Sequence, residues 1–138
     1  MRVFLDANIL FSAAKTDGAV RELLRLLQET GHECWVDEYV VFEAHRNLLA
    51  KGPEALSALD ALLATCHLKP GRVPATSAPR ADIDWLPDKD RPVLAAAIRL
   101  RCHALLTGDQ THFGAGYGRT FSGVVVRSPR SLLEALFA

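Results

Sequence analysis

The stretch RVFLDANIL, residues 2–10, reads as a short strand, apolar on both sides, that ends on a carboxylate, Asp6, with Asn8 two residues later. A strand apolar on both sides belongs inside a parallel sheet covered by helices. An acid at its end costs free energy unless a positive group sits beside it or water reaches it. Asp6 is therefore the first residue whose surroundings need an explanation.

Outward from this strand, residues 8–15 suit a helix, and Asp17 reads as the N-cap of a second. That helix has Val20, Leu23, Leu24 and Leu27 on one face and Gly31 as its stop. Residues 33–36 (ECWV) read as a second strand. Asp37 then caps a helix to about Lys51, Gly52-Pro53 opens another to about Thr65, and residues 66–69 suit a third strand. Residues 70–87 contain four prolines and predict a loop without a helix, long enough to border a site. An alanine-rich helix follows Asp88 and Asp90, with Val93, Ala96, Ala97 and Leu100 on one face. Residues 103–107 (HALLT) and 123–126 (GVVV) are the fourth and fifth strands, and Ser128-Pro129 opens a terminal helix. Compact apolar strands alternating with helices predict an α/β fold with a mainly parallel sheet covered on both faces. Ligands bind such sheets beyond the carboxyl ends of the strands, where the strand order reverses.

Composition narrows the class. The 138 residues suit one domain, residues 1–138, without an internal repeat or linker. Apolar residues make up 49%, and 16 basic residues balance 16 acidic ones, which argues against disorder. No apolar run approaches the roughly 20 residues that span a bilayer, so no membrane association is expected. No basic–apolar–small pattern opens the chain, so no signal peptide is expected. Cys34, Cys66 and Cys102 lie in apolar contexts without CxxC spacing, which suits reduced thiols and a cytoplasmic protein. The neutral balance conceals a gradient: from Arg91 onward six arginines face only Asp109 and Glu134. An anionic partner can use such a contrast.

Four acids fall where this fold puts a site. Asp6 ends the first strand. Asp109, in LLTGDQTHF (residues 105–113), lies just beyond the fourth, with Thr107 at its end. Glu43 sits in the second turn of the helix after the second strand, on the same sheet edge. Asp90 stands at the start of a helix that leads into a strand, so it reaches that edge only if the preceding loop folds over the site. Asp88 or Asp90 can serve as a helix cap and Asp109 as a turn residue, but capping accounts for neither Asp6 nor Glu43. Four clustered carboxylates are hard oxygen ligands suited to Mg2+, with Mn2+ as a substitute, whose remaining ligands are water and phosphate oxygen. Zinc is disfavoured, since the five histidines show no ligand spacing; His112, three residues after Asp109, is placed to contact a substrate. No GxxxxGK[ST], GxGxxG or GxSxG motif occurs.

In order along the chain, FLDANIL, VVFEAHRNLL, DKDRPVLAAAI, LLTGDQTHF and SPRSLLEAL resemble the PIN-domain family, especially its VapC-type toxin ribonucleases. The resemblance implies a three-layer α/β/α domain with five parallel strands ordered 3-2-1-4-5, which sets the first and fourth strands side by side. It implies a metal-dependent nuclease in which Asp6, Glu43, Asp90 and Asp109 hold the metal and serve catalysis. Asn8 and Thr107 match the family's supporting residues. Asp88 competes with Asp90 for the third position, and the apolar spacing of Leu94 and Ala97 favours Asp90. RNA is the implied substrate, with Arg46, Arg91 and Arg119 as candidates for backbone contacts. An antitoxin partner is also implied, while the helix of the basic region and exposed apolar residues suit a homodimer. Two other classes fit the same residues: a PIN-like module that binds RNA or protein without cutting, and an Asp-dependent phosphotransferase with Asp6 as nucleophile. Asn8 stands where such a phosphotransferase has a second Asp.

Overall fold

The computed structural model describes residues 1–137. Strand β1 (Arg2–Leu5) leads directly into α1 (Ala7–Lys15), and α2 (Ala19–Glu29) follows. Then come β2 (Glu33–Asp37), α3 (Glu38–Lys51), α4 (Leu56–Leu63) and β3 (His67–Lys69). The second half holds α5 (Arg80–Ile83), α6 (Arg91–Arg99), β4 (Ala104–Leu106), α7 (Gln110–Phe113), β5 (Thr120–Phe121), β6 (Val124–Arg127) and α8 (Pro129–Phe137). No described helix is long and apolar enough to cross a membrane.

The sheet runs β3-β2-β1-β4-β6-β5 and is parallel except at its last strand. Val3 pairs with Cys34 on one side and Ala104 on the other, so β1 and β4 are neighbours with their carboxyl ends together. Val3, Phe4 and Leu5 are all buried, as are Ala104, Leu105 and Leu106. Consecutive buried residues on a strand place apolar cover on both faces, and helices supply it. Helix α6 lies so deep that Val93 to Ala97 are buried in an unbroken row.

Six strands replace the expected five. The expected fifth strand is β6, and the extra strand, β5, doubles back onto it antiparallel through Ser122 and Gly123. Both turn residues have positive φ, 48° and 87°, the geometry a two-residue hairpin requires. Two residues are too few to display an alternating pattern, so the sequence did not announce β5.

Two further expectations are corrected. Gly18, not Asp17, occupies the N-cap position of α2, and Asp17 instead lies 3.7 Å from Arg21 one turn on. Residues 70–87 are not free of helix: they hold a 3-10 turn, Ala75–Ser77, and α5. Val73, Ala78, Ile83 and Leu86 from this segment are buried. Their irregular spacing follows a path bent by four prolines rather than a helical period. Arg91 ties the segment down by donating to Leu86 O at 2.9 Å, Asp84 O at 3.2 Å and Asp88 Oδ1 at 2.9 Å. The three cysteines are free thiols, and burial pushes Cys34 and Cys102 up to about 12.

Candidate functional site

Since β1 and β4 end together, the residues just after them meet. Asp6 N donates to Leu106 O at 3.0 Å, carrying the ladder one step past both strands. Thr107 Oγ1 then donates to Asp6 Oδ2 at 2.8 Å, and Asn8 Nδ2 donates to the same oxygen at 3.0 Å. Asn8 Oδ1 accepts from Gly108 N at 2.7 Å, so one side chain clamps the ends of both strands. Asp109 N donates to Thr107 Oγ1 at 3.1 Å, which sets the next acid on the same edge.

Asp6 has a second task. Its Oδ1 accepts from Ala7 N at 2.8 Å and Asp6 is the N-cap of α1, so capping does account for part of its presence. All its partners are neutral donors, and no cation pairs with it among the described residues. Burial is the dominant cause of its altered acidity: it raises the carboxyl from 3.8 to about 6. The charge of Asp90 adds to the rise, while the hydrogen bonds from Thr107, Ala7 and Asn8 oppose it.

Glu43 reaches the same edge from α3. Asp37 ends β2 and caps α3, its Oδ1 accepting from Val40 N at 3.1 Å. Glu43 therefore sits one turn into a helix that starts at the carboxyl end of a strand. Its Oε1 lies 3.2 Å from Arg46 Nη2.

Asp88 and Asp90 separate cleanly. The Asp88 side chain is 95% exposed and pairs with Arg91. Asp90 is 8% exposed, makes no capping hydrogen bond and faces the pocket. Tyr39 Oη donates to Lys89 O at 2.7 Å and holds this turn over the site. Burial raises the Asp90 carboxyl, the charges of Asp109 and Glu43 add to the rise, and His112 and Lys89 oppose it.

Asp6, Glu43, Asp90 and Asp109 all line one pocket of about 330 Å3, together with Asn8, Tyr39, Asn47 and Lys89. Within it the acids are not equivalent. Asp90 Oδ2 and Asp109 Oδ2 lie 2.9 and 2.8 Å from His112 Nδ1. One ligating atom from each of these three residues falls within 4.8 Å of the others. Neither approach to Nδ1 has the direction of a hydrogen bond, and both Nδ1 and Asp90 Oδ2 are buried atoms without a hydrogen-bond partner among the described residues. Such orphaned atoms beside concentrated negative charge are what a bound cation would satisfy. The donor set fits a divalent metal ion.

The donor set is not purely oxygen. His112 Nδ1 adds a nitrogen, placed by the short helix α7, whose first turn Asp109 caps through His112 N at 3.1 Å. The signal was the Asp109–His112 spacing of three on one helical turn. Tyr39 and Asn47, each four residues from Glu43 on α3, share its face by the same rule. Lys89 carried no signal of its own.

The three candidate arginines have other occupations. Arg46 pairs with Glu43, Arg91 holds the 70–87 segment, and Arg119 lies 5.3 Å over the ring of Phe121 on edge strand β5. Lys89 is the cation that lines the pocket.

Known proteins share both motif and shape. The family model for the PIN domain matches residues 2–111. A chain of VapBC2 from Rickettsia felis, bound to a DNA fragment from its promoter, superposes with a TM-score of 0.69 at 17% identity, covering 93% of this chain and 98% of that one. VapBC-1 from nontypeable Haemophilus influenzae gives 0.62 at 11% identity, with 94% and 99% covered. VapC20 from Mycobacterium tuberculosis, a toxin that cleaves the sarcin–ricin loop, gives 0.59 at 14%, with 86% and 98% covered. Identities this low establish a shared fold. No curated protein matches the chain by sequence.

Proposed function

This chain belongs to the PIN-domain family, and on that premise we propose that it is a metal-dependent endoribonuclease, the toxin of a toxin–antitoxin pair. The observation that carries the reading is the convergence of Asp6, Glu43, Asp90 and Asp109, from four separate elements, on one pocket. Asp90 and Asp109, with Asp6 and Glu43 beside them, would hold Mg2+ or Mn2+. When bound, such an ion lowers the pKa of its water and offsets charge building on the phosphorus.

The chain's own groups divide the remaining work. Lys89 offers a positive contact for the scissile phosphate from the pocket wall. Glu43 has Oε1 engaged by Arg46 and keeps Oε2 to orient the attacking water and accept its proton. Thr107 and Asn8 hold Asp6 in one rotamer, and Asp6 in turn fixes the start of α1 at the pocket floor.

RNA as substrate rests on family membership and on the sarcin–ricin loop cleavage by one structural relative. Two of the three relatives are VapBC assemblies. By the same analogy an antitoxin segment would place a basic side chain among the four acids, displacing metal and RNA together.

A mixed RNA pool incubated with the wild type and Asp109→Asn tests the reading. Cleavage should require Mg2+ or Mn2+, vanish with EDTA and fall at least about 100-fold in the variant. Cleavage that survives exhaustive chelation refutes the metal-dependent mechanism. RNA binding without cleavage under any metal supports a non-catalytic module instead.

A further inference from the structure

We infer that His112 is an inner-sphere ligand, which together with Asp90 and Asp109 makes a mixed imidazole–carboxylate centre that takes first-row transition ions such as Mn2+ in preference to Mg2+. The inference rests on the metal-dependent reading above and goes beyond it by naming a nitrogen ligand and the preference it confers.

Three observations carry it. First, the spacing is that of ligands round an ion. Bonds of about 2.1 Å set at right angles put neighbouring donor atoms about 3 Å apart, and Asp90 Oδ2 and Asp109 Oδ2 lie 2.9 and 2.8 Å from His112 Nδ1. Second, these approaches lack hydrogen-bond direction, and Asp90 Oδ2 is an orphaned oxygen on a residue 8% exposed that faces the pocket. Third, the helical turn that carries the imidazole is fixed. Asp109 Oδ1 accepts from His112 N, so the acid that would share the ion also sets the helical turn that presents the imidazole.

Nitrogen in the donor set decides the metal. Mg2+ takes oxygen ligands and resists losing its waters. Imidazole binds first-row transition ions, with affinity rising from Mn2+ along the series. Three of the other histidines have separate partners: His103 accepts from Arg2 N, His32 meets the N-terminal amine, and His67 stacks on Trp35.

Pulsed EPR on the protein loaded with Mn2+, without RNA, provides the test. The wild type should show nitrogen-14 coupling to the bound Mn2+, and both His112→Asp and His112→Gln should lose it. Calorimetric titration should give a Mn2+-to-Mg2+ affinity ratio about tenfold lower in His112→Asp, which keeps three donors but makes them all oxygen. Circular dichroism of both variants establishes that they fold, and either folded variant suffices. Mn2+ bound without nitrogen coupling in the wild type, coupling that persists in the variants, or an unchanged affinity ratio overturns the histidine's role while leaving the nuclease reading intact. Failure of the wild type to bind either ion overturns both.

Discussion

Replacing Asp6 with asparagine turns the buried carboxylate into a measurable pH signature. Asp6 has its carboxyl raised from 3.8 to about 6 by burial. At about 1.4 kcal/mol per pKa unit, the ionised form costs the fold about 3 kcal/mol. The direction follows from proton binding. Below pH 3.8 the group is protonated in both folded and unfolded chains and costs nothing. Between 3.8 and about 6 the unfolded chain ionises first, and above 6 the whole cost is present.

The amide of the Asp6→Asn variant carries no charge at any pH, so wild type should lose about 2.4 kcal/mol relative to this variant between about pH 4 and pH 7.5. Asp90 titrates in both proteins and cancels to first order. A constant term opposes the gain. Asparagine caps helices as well as aspartate does, but its amide turns a donor toward Asn8 Nδ2 or Thr107 Oγ1, at about 1–2 kcal/mol. The variant should therefore be less stable than wild type at about pH 4 and more stable at about pH 7.5, with the two curves crossing between. Urea melts in EDTA across this range measure it. Adding Mg2+ at the upper end should stabilise wild type more than the variant, by up to about 2.7 kcal/mol at 100 times Kd. A stability difference that moves by less than about 0.5 kcal/mol across this range, or that moves in favour of wild type as pH rises, refutes the account of Asp6 as a strained acid.

Arg91→Ala removes the donor that holds Leu86 O, Asp84 O and Asp88, and should cost about 1–3 kcal/mol in a denaturant melt. RNA affinity should keep its salt dependence; a slope flatter by about one would instead make Arg91 a phosphate contact. Asn8→Ala breaks the clamp between the two strand ends and strips Gly108 N and Asp6 of partners. It should destabilise by about 1–3 kcal/mol and lower kcat more than it raises KM, because it misplaces Asp6 and Asp109 without touching a phosphate contact. Unchanged kcat in steady-state kinetics would mean the clamp serves stability alone.

Local sequence determined which edge of the sheet carries the candidate site. The apolar runs of β1 and β4 and the periodic faces of the helices are short-range patterns, and the alternation they make admits a parallel sheet with all its strand ends on one side. Asp6, Glu43 and Asp109 follow from that alone, since each lies a fixed few residues past a strand. Tertiary structure decided everything that depends on what a side chain meets across the chain. Asp88 and Asp90 are both acids at one helix start, and only the packing of the 70–87 segment turns Asp90 inward and leaves Asp88 with Arg91. The same packing engages Arg91, whose charge suggested a surface role, with Leu86 O, Asp84 O and Asp88. Asp6 meets Thr107 from 101 residues away, and its acidity is set by the burial and neutral donors found there. His112 joins Asp90 and Asp109 because the turn after β4 and the start of α6 close on the same pocket. Periodicity records which face of an element is covered; the partner that covers it, and therefore the charge and acidity of each group, exists only once distant segments are brought together.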